Sequence, residues 1–293
     1  MLLNLREYHR PIETDETDDG LLLALELLSR PNIRTVPLAG GDSLLGSNDP
    51  TIEAVVDLQG LGLDWLDTDL NAGALQAGAM VTRARLAQLD KGYHIPLGII
   101  AAGARRWSGN VQRNRATLGG ALATAASNDP LVVALLACDT FVAFHTGTSL
   151  EWLPIVEFLI LRNTVLARLA LIAEINVPLP PEATTDYALA DVARTPADAP
   201  IVVAAAALAI AEGRCTQARL ALGGVASDPI RLPEAEALLE GQALTADRIA
   251  AAAARARELV TPAGDFRGSA EYRKAMAGVL VDRALRQAWE RIV

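Results

Sequence analysis

The sequence predicts an α+β protein: two small sheet-containing lobes, then a C-terminal α+β unit in which a small sheet is joined to helices. Three observations lead there. A chain of 293 residues with 51% hydrophobic content can bury a sizeable core, and its length suits two or three compact units better than one. Strand-like apolar runs alternate with helix-like segments through the first half of the chain. Three prolines in Pro178-Leu179-Pro180-Pro181 then stiffen the backbone and forbid a helix, marking a boundary. The expected units are therefore residues 1–177, with lobes of about 1–58 and 59–177, and residues 182–293.

Residues 21–28 have the apolar density of an amphipathic helix, preceded by the capping-type residues Asp18 and Asp19 and stopped by Pro31. A strand at 34–38 runs straight into Ala39-Gly40-Gly41-Asp42-Ser43, and after a polar loop at 46–49 another strand follows at 54–58. In the second lobe, 75–80 reads as a strand, 82–89 as a short helix and 95–106 as a helix that approaches Thr117-Leu118-Gly119-Gly120. Asp129-Pro130 then restarts a helix, Asp being a favoured N-cap and Pro a favoured first helical residue. Segments 141–144 and 170–177 complete this lobe as strands. Beyond the prolines a separate module begins with strands at 201–211 and 217–222, turns at Gly223-Gly224 and ends in two long helices, 246–260 and 269–292.

Several function classes are disfavoured. The longest apolar run, 201–211, falls short of the roughly 20 residues a membrane span needs. Residues 1–10 alternate apolar and charged side chains and lack the basic start and apolar centre of a secretory signal, so a cytoplasmic location is expected. Cys138 and Cys215 stand far apart without a Cys-x-x-Cys pair, which speaks against an iron-sulfur cluster held by this chain alone and against a disulfide framework. A net charge of −9 argues against nucleic-acid binding. The one arginine cluster, Arg105, Arg106, Arg113 and Arg115, precedes a Gly-Gly turn and reads either as a solvated face or as a local dock for a small phosphate or protein partner. His9, His94 and His145 have no metal-ligand spacing and no Gly-x-Ser-x-Gly elbow occurs. Asp18-Asp19, and Asp64 with Asp67, lie in polar stretches where solvation explains them. No catalytic or metal residue is therefore expected, and any reactivity must come from a cofactor.

The informative feature is the pair of Gly-Gly turns, Gly40-Gly41 and Gly119-Gly120, each after an extended segment and each beside a hydroxyl, Ser43 or Thr117. Glycine permits positive φ and close approach of successive N–H groups to an anion, the concave nest that phosphates favour. Neither turn fits the Rossmann or P-loop spacing. Gly223-Gly224 lacks a hydroxyl-rich loop and reads as a plain turn.

These residues sit in longer blocks. Leu38-Ala39-Gly40-Gly41-Asp42-Ser43-Leu44-Leu45 is followed by Val56-Asp57-Leu58, then by Leu75-Gln76-Ala77-Gly78-Ala79 with Val81-Thr82, then by Arg113-Asn114-Arg115-Ala116-Thr117-Leu118-Gly119-Gly120. Later come Ala218-Arg219-Leu220-Ala221-Leu222-Gly223-Gly224-Val225, Pro229, Glu236-Ala237-Leu238-Leu239-Glu240-Gly241, and Gly268-Ser269-Ala270-Glu271-Tyr272-Arg273-Lys274 running to Arg283-Ala284-Leu285. In this order they resemble the medium, FAD-binding subunit of molybdenum hydroxylases, the family of xanthine dehydrogenase and aerobic carbon monoxide dehydrogenase.

The resemblance implies a two-lobed FAD-binding domain of the vanillyl-alcohol-oxidase-like (PCMH) type and a C-terminal domain of the molybdenum hydroxylase flavoprotein type. It implies that Ala39, Gly40, Gly41, Asp42 and Ser43 face the FAD diphosphate from one side and Thr117, Gly119 and Gly120 from the other. By the same resemblance Asp129 contacts the sugar portion of FAD and Tyr187 lies beside the isoalloxazine ring. The implied partners are an iron-sulfur subunit and a molybdopterin-containing subunit of a hetero-oligomer, with electrons passing through FAD to NAD, a quinone or oxygen. Asp42 and Ala121 depart from the family's usual neutral residue and Asn, and they motivate a second reading: a flavin-free structural or assembly subunit of a related complex.

Overall fold

The computed structural model describes residues 4–12, 19–68, 73–89, 95–106, 109–147, 149–168, 170–179, 185–195 and 198–292. Asp18, His94, Pro180 and Pro181, invoked above, lie outside them. The first lobe is built from β1 (Glu7–His9), α1 (Asp19–Leu28), β2 (Thr35–Leu38), α2 (Asp42–Gly46) and β3 (Ala54–Asp57). Its parallel sheet has the order β1-β3-β2, with Val55 opposite both Tyr8 and Val36. The central strand β3 is buried at every position, so its sequence reads as a short run without alternation. Buried Asp57 is satisfied by the Tyr8 hydroxyl and by the Gln59 amide at 2.9 Å. β1 goes beyond the sequence expectation, because three residues carry no readable period. So does α2, which takes up residues 42–46, between the expected turn and polar loop.

The second lobe carries β4 (Leu66–Asp67), β5 (Ala74–Gly78), α3 (Arg83–Leu86), α4 (Ile95–Arg105), α5 (Asn110–Arg115), α6 (Leu118–Thr124), α7 (Pro130–Ala137), β6 (Phe141–Thr146), β7 (Ser149–Pro154), α8 (Ile155–Ala167) and β8 (Leu171–Pro178). The strands form one antiparallel sheet in the order β4-β5-β8-β6-β7. α7 is buried along its whole length and forms the centre of the largest core with Leu75, Leu97, Leu118, Leu122, Phe158 and Ile175. Its start is set as the sequence suggested: Asp129 caps it and Pro130 opens it.

The last unit comprises β9 (Thr185–Val192), β10 (Val202–Ala211), β11 (Arg214–Gly223), β12 (Ile230–Arg231), α9 (Pro233–Glu236), α10 (Ala246–Leu259) and α11 (Ala270–Ile292). Its antiparallel order is β12-β11-β10-β9, with Ala207 between Tyr187 and Arg219. This unit also packs closely on the second lobe. Val203, Ala205, Ala207 and Ala221 point into the core of the second lobe. Val202, Ala204, Ala206 and Leu208 point the other way, into a core shared with α10 and α11. A sheet covered on both faces explains the unbroken apolar run of β10. Gly224 turns the chain with φ 80°, and a Cβ there would stand 2.1 Å from the Ile201 carbonyl oxygen, so this pair is a packing turn. Among the described residues no helix is long and apolar enough to cross a membrane.

Candidate functional site

The chain leaves the carboxyl edge of the parallel sheet at Leu38 and bends at once. Gly41 is the N-cap of α2 with φ 72°, a left-handed conformation open to glycine at no steric cost. Among the described residues the amides of Gly41, Asp42, Ser43 and Leu44 donate no hydrogen bond, so four donors in a row are unspent. Gly40 does a different job. A Cβ on it would stand 1.6 Å from the carbonyl oxygen of Arg115 in the second lobe, so only glycine lets the two backbones meet.

The second Gly-Gly turn differs from expectation. Neither Gly119 nor Gly120 has positive φ; both lie in the first turn of α6, which Thr117 caps. Its amides are all spent: Leu118 N donates to Val81 O at 2.8 Å, Gly119 N to Ala79 O at 2.7 Å, Gly120 N to Thr117 Oγ1 at 3.1 Å and Ala121 N to Thr117 O at 3.0 Å. The first two hold the segment against residues 79–82, where Thr82 and Thr117 also pair. Glycine is needed at 119 because a Cβ would come within 2.8 Å of the Ala79 Cβ. The second turn is therefore a tightly packed wall and not an anion nest of the kind its Gly-Gly sequence suggested.

Two cavities open at the first bend, and Ala39, Gly40, Gly41 and Thr117 line both. The larger, about 610 Å³, adds Arg10, Gln59, Arg85, Asn114 and Arg115. The smaller, about 170 Å³, adds Asp42, Ser43, Arg83, Gly120, Ala121 and Asp129. Asp129 is buried, and its carboxylate is taken up twice over. Oδ1 accepts from the Leu131 amide at 3.0 Å, and buried Arg83 grips both oxygens.

The structure thus gathers Ala39, Gly40, Gly41, Asp42, Ser43, Thr117, Gly120 and Asp129 around one cleft. Gly119 lies behind the wall, packed on Ala79. Tyr187 is elsewhere: it faces Cys138, Asp139 and Arg219 at the far end of α7 and lines neither glycine cavity. Burial, then the neighbouring Cys138 and Asp139, push its phenol well above the usual range. The expected arginine cluster is also divided. Arg105 donates to Ala87 O at 2.5 Å, Arg106 pairs with Asp191 at 3.2 Å and Arg113 donates to the Asn110 side chain. Only Arg115 of the four lines the cleft. Sequence reasoning missed Arg83, and nothing in its local pattern signals a partner 46 residues away. Among the described residues no group of three or more His, Cys, Asp or Glu side chains is arranged to hold a metal.

Known proteins match this architecture from end to end. Residues 8–180 match the family model described as the FAD binding domain in molybdopterin dehydrogenase, and 187–288 the CO dehydrogenase flavoprotein C-terminal domain. The chain is 31% identical over 291 residues to the carbon monoxide dehydrogenase medium chain of Afipia carboxidovorans, covering 96% of each. It is 34% identical over 265 residues to the uncharacterised protein YgfM of Escherichia coli strain K12, covering 90% of this chain and 91% of that one. The carbon monoxide dehydrogenase structure from Hydrogenophaga pseudoflava superposes with a TM-score of 0.89 at 28% identity, covering all of both chains.

Proposed function

The chain belongs to the family of FAD-binding medium subunits of molybdenum hydroxylases, and from that premise we propose that its cleft binds the FAD diphosphate chiefly on the Gly40-Gly41 bend. The observation that carries this reading is the row of four unspent amides at 41–44, which supplies the donors a diphosphate needs. Gly40 lets the bend lie against the Arg115 carbonyl, and Thr117 lines both cavities from the second lobe. Asp129, neutralised by Arg83, offers the cofactor's sugar a polar floor without an unpaired charge. These residues fit the cofactor by holding and orienting it, since none is placed as a nucleophile or general base.

Bound there, the flavin would supply the redox chemistry, taking electrons from iron-sulfur clusters of one partner subunit, fed by a molybdopterin-containing one, and giving them to NAD, a quinone or oxygen. The visible spectrum of the purified chain, taken before and after adding FAD, tests the proposal. Flavin bands that persist through gel filtration are expected. Colourless protein that cannot be reconstituted would leave only a structural or assembly role in a related complex.

A further inference from the structure

We propose that Arg115 is the charged clamp of the cleft, closing its guanidinium over the diphosphate held by the amides of residues 41–44; the inference rests on the FAD reading above. Two contacts fix its place. Its carbonyl oxygen abuts Gly40 so closely that no Cβ fits between them, which pins the backbone of residue 115 to the first bend. From there the side chain folds back, and Nη2 lies 3.3 Å from where a Cβ on Gly41 would stand. Arg115 therefore touches both glycines of the bend, although it belongs to the other lobe.

Its charge is also uncommitted. Arg105, Arg106 and Arg113 are engaged by protein oxygens, as described above. Of the other arginines in the larger cavity, Arg10 lies 4.0 Å from Asp57 and Arg85 donates to the Asp64 carbonyl. Arg115 alone among these is exposed in the cavity with no hydrogen bond or ion pair among the described residues. A diphosphate brings two negative charges into a chain of net charge −9, beside a bend that carries Asp42. Amide dipoles offset only part of that, whereas a guanidinium fork matches phosphate oxygens in geometry as well as charge. Asp42 lines the smaller cavity only and Arg115 the larger only, so the two side chains line different cavities.

The test uses the full chain stripped of flavin and titrated with FAD, ADP and riboflavin, as wild type, Arg115→Gln and Arg115→Lys. Loss of one charge-assisted contact of about 1.5–3 kcal/mol weakens FAD and ADP by about tenfold to a hundredfold in the Gln variant. Riboflavin, which has no phosphate, binds that variant as it binds the wild type, and the Lys variant recovers part of the ADP affinity. An Arg115→Gln chain that binds FAD and ADP like the wild type, or that loses riboflavin equally, overturns the clamp. Wild-type protein that takes up no FAD overturns the FAD reading itself, a result distinguishable from a wild type that binds FAD and a variant that binds it as well.

Discussion

At Gly40 one absent methyl sets how closely the two lobes meet. Alanine there would drive its Cβ to 1.6 Å from a carbonyl oxygen, backbone against backbone, with no flexible side chain to yield. Gly46, six residues on in chain order at the end of α2, has nothing within 4 Å of the same position and no positive φ. Gly40→Ala is therefore expected to cost about 1–3 kcal/mol as an overpacked contact and to abolish flavin retention. Gly46→Ala should keep the flavin and melt at the wild-type temperature or slightly above. Equal flavin content in the two variants would refute the placement of the cleft. The same contrast shows what could be read in advance. The Gly-Gly pattern marked positions that require glycine, but the physical reason differs at each: positive φ at Gly41, close backbone approach at Gly40 and packing on Ala79 at Gly119. The last two depend on neighbours distant in sequence, so a local motif does not reveal them.

Among the elements, β9 carries the seam between the lobes and the C-terminal helices, and it buries a carboxylate. Asp186 is almost wholly inaccessible, and burial raises its pKa despite the opposing Tyr187 amide and Arg291. A carboxyl group that resists ionisation in the folded state adds stability at low pH, and that contribution disappears as pH rises through its raised value. Asp186→Asn, which keeps the Oδ1 acceptor and cannot ionise, should therefore resist urea better than the wild type at pH 8, with the gap narrowing toward pH 5. A variant less stable than the wild type at pH 8 would show that the Arg291 pairing outweighs desolvation. β9 escaped the sequence reading for the same reason: Asp186 and Asp191 interrupt its apolar pattern although most of the strand is buried. β7, an edge strand with four exposed positions, escaped as well. α8 escaped because exposed Ile160 and Leu161 blur its helical stripe. The elements read correctly, such as α1, α4, α10 and α11, are those whose length or caps gave a periodic signal within the element itself.

Over the whole molecule, stability is unevenly distributed, and the cleft lies at its weak end. The C-terminal sheet contributes to two large cores at once, through the second lobe and through α10 and α11. The first lobe has a small core of its own, Ala24, Leu25, Leu28, Val56, Leu58 and Leu61, completed by Met80 and Leu171 from its neighbour. With little apolar surface to lose, it should be the first region to open in the cofactor-free chain. A ligand gripped at the bend between β2 and α2 stabilises only states in which that lobe is closed, by about 2.7 kcal/mol at a hundredfold excess over Kd. Hydrogen exchange of the flavin-free protein should therefore be fastest in β1, β2 and β3 and slowest in β10 and β11. Added FAD should slow exchange most in β2, β3 and α2 while leaving α10 and α11 unchanged. Protection spread evenly over the chain, or concentrated in α11, would mean that the cofactor is held somewhere other than at the junction of the lobes.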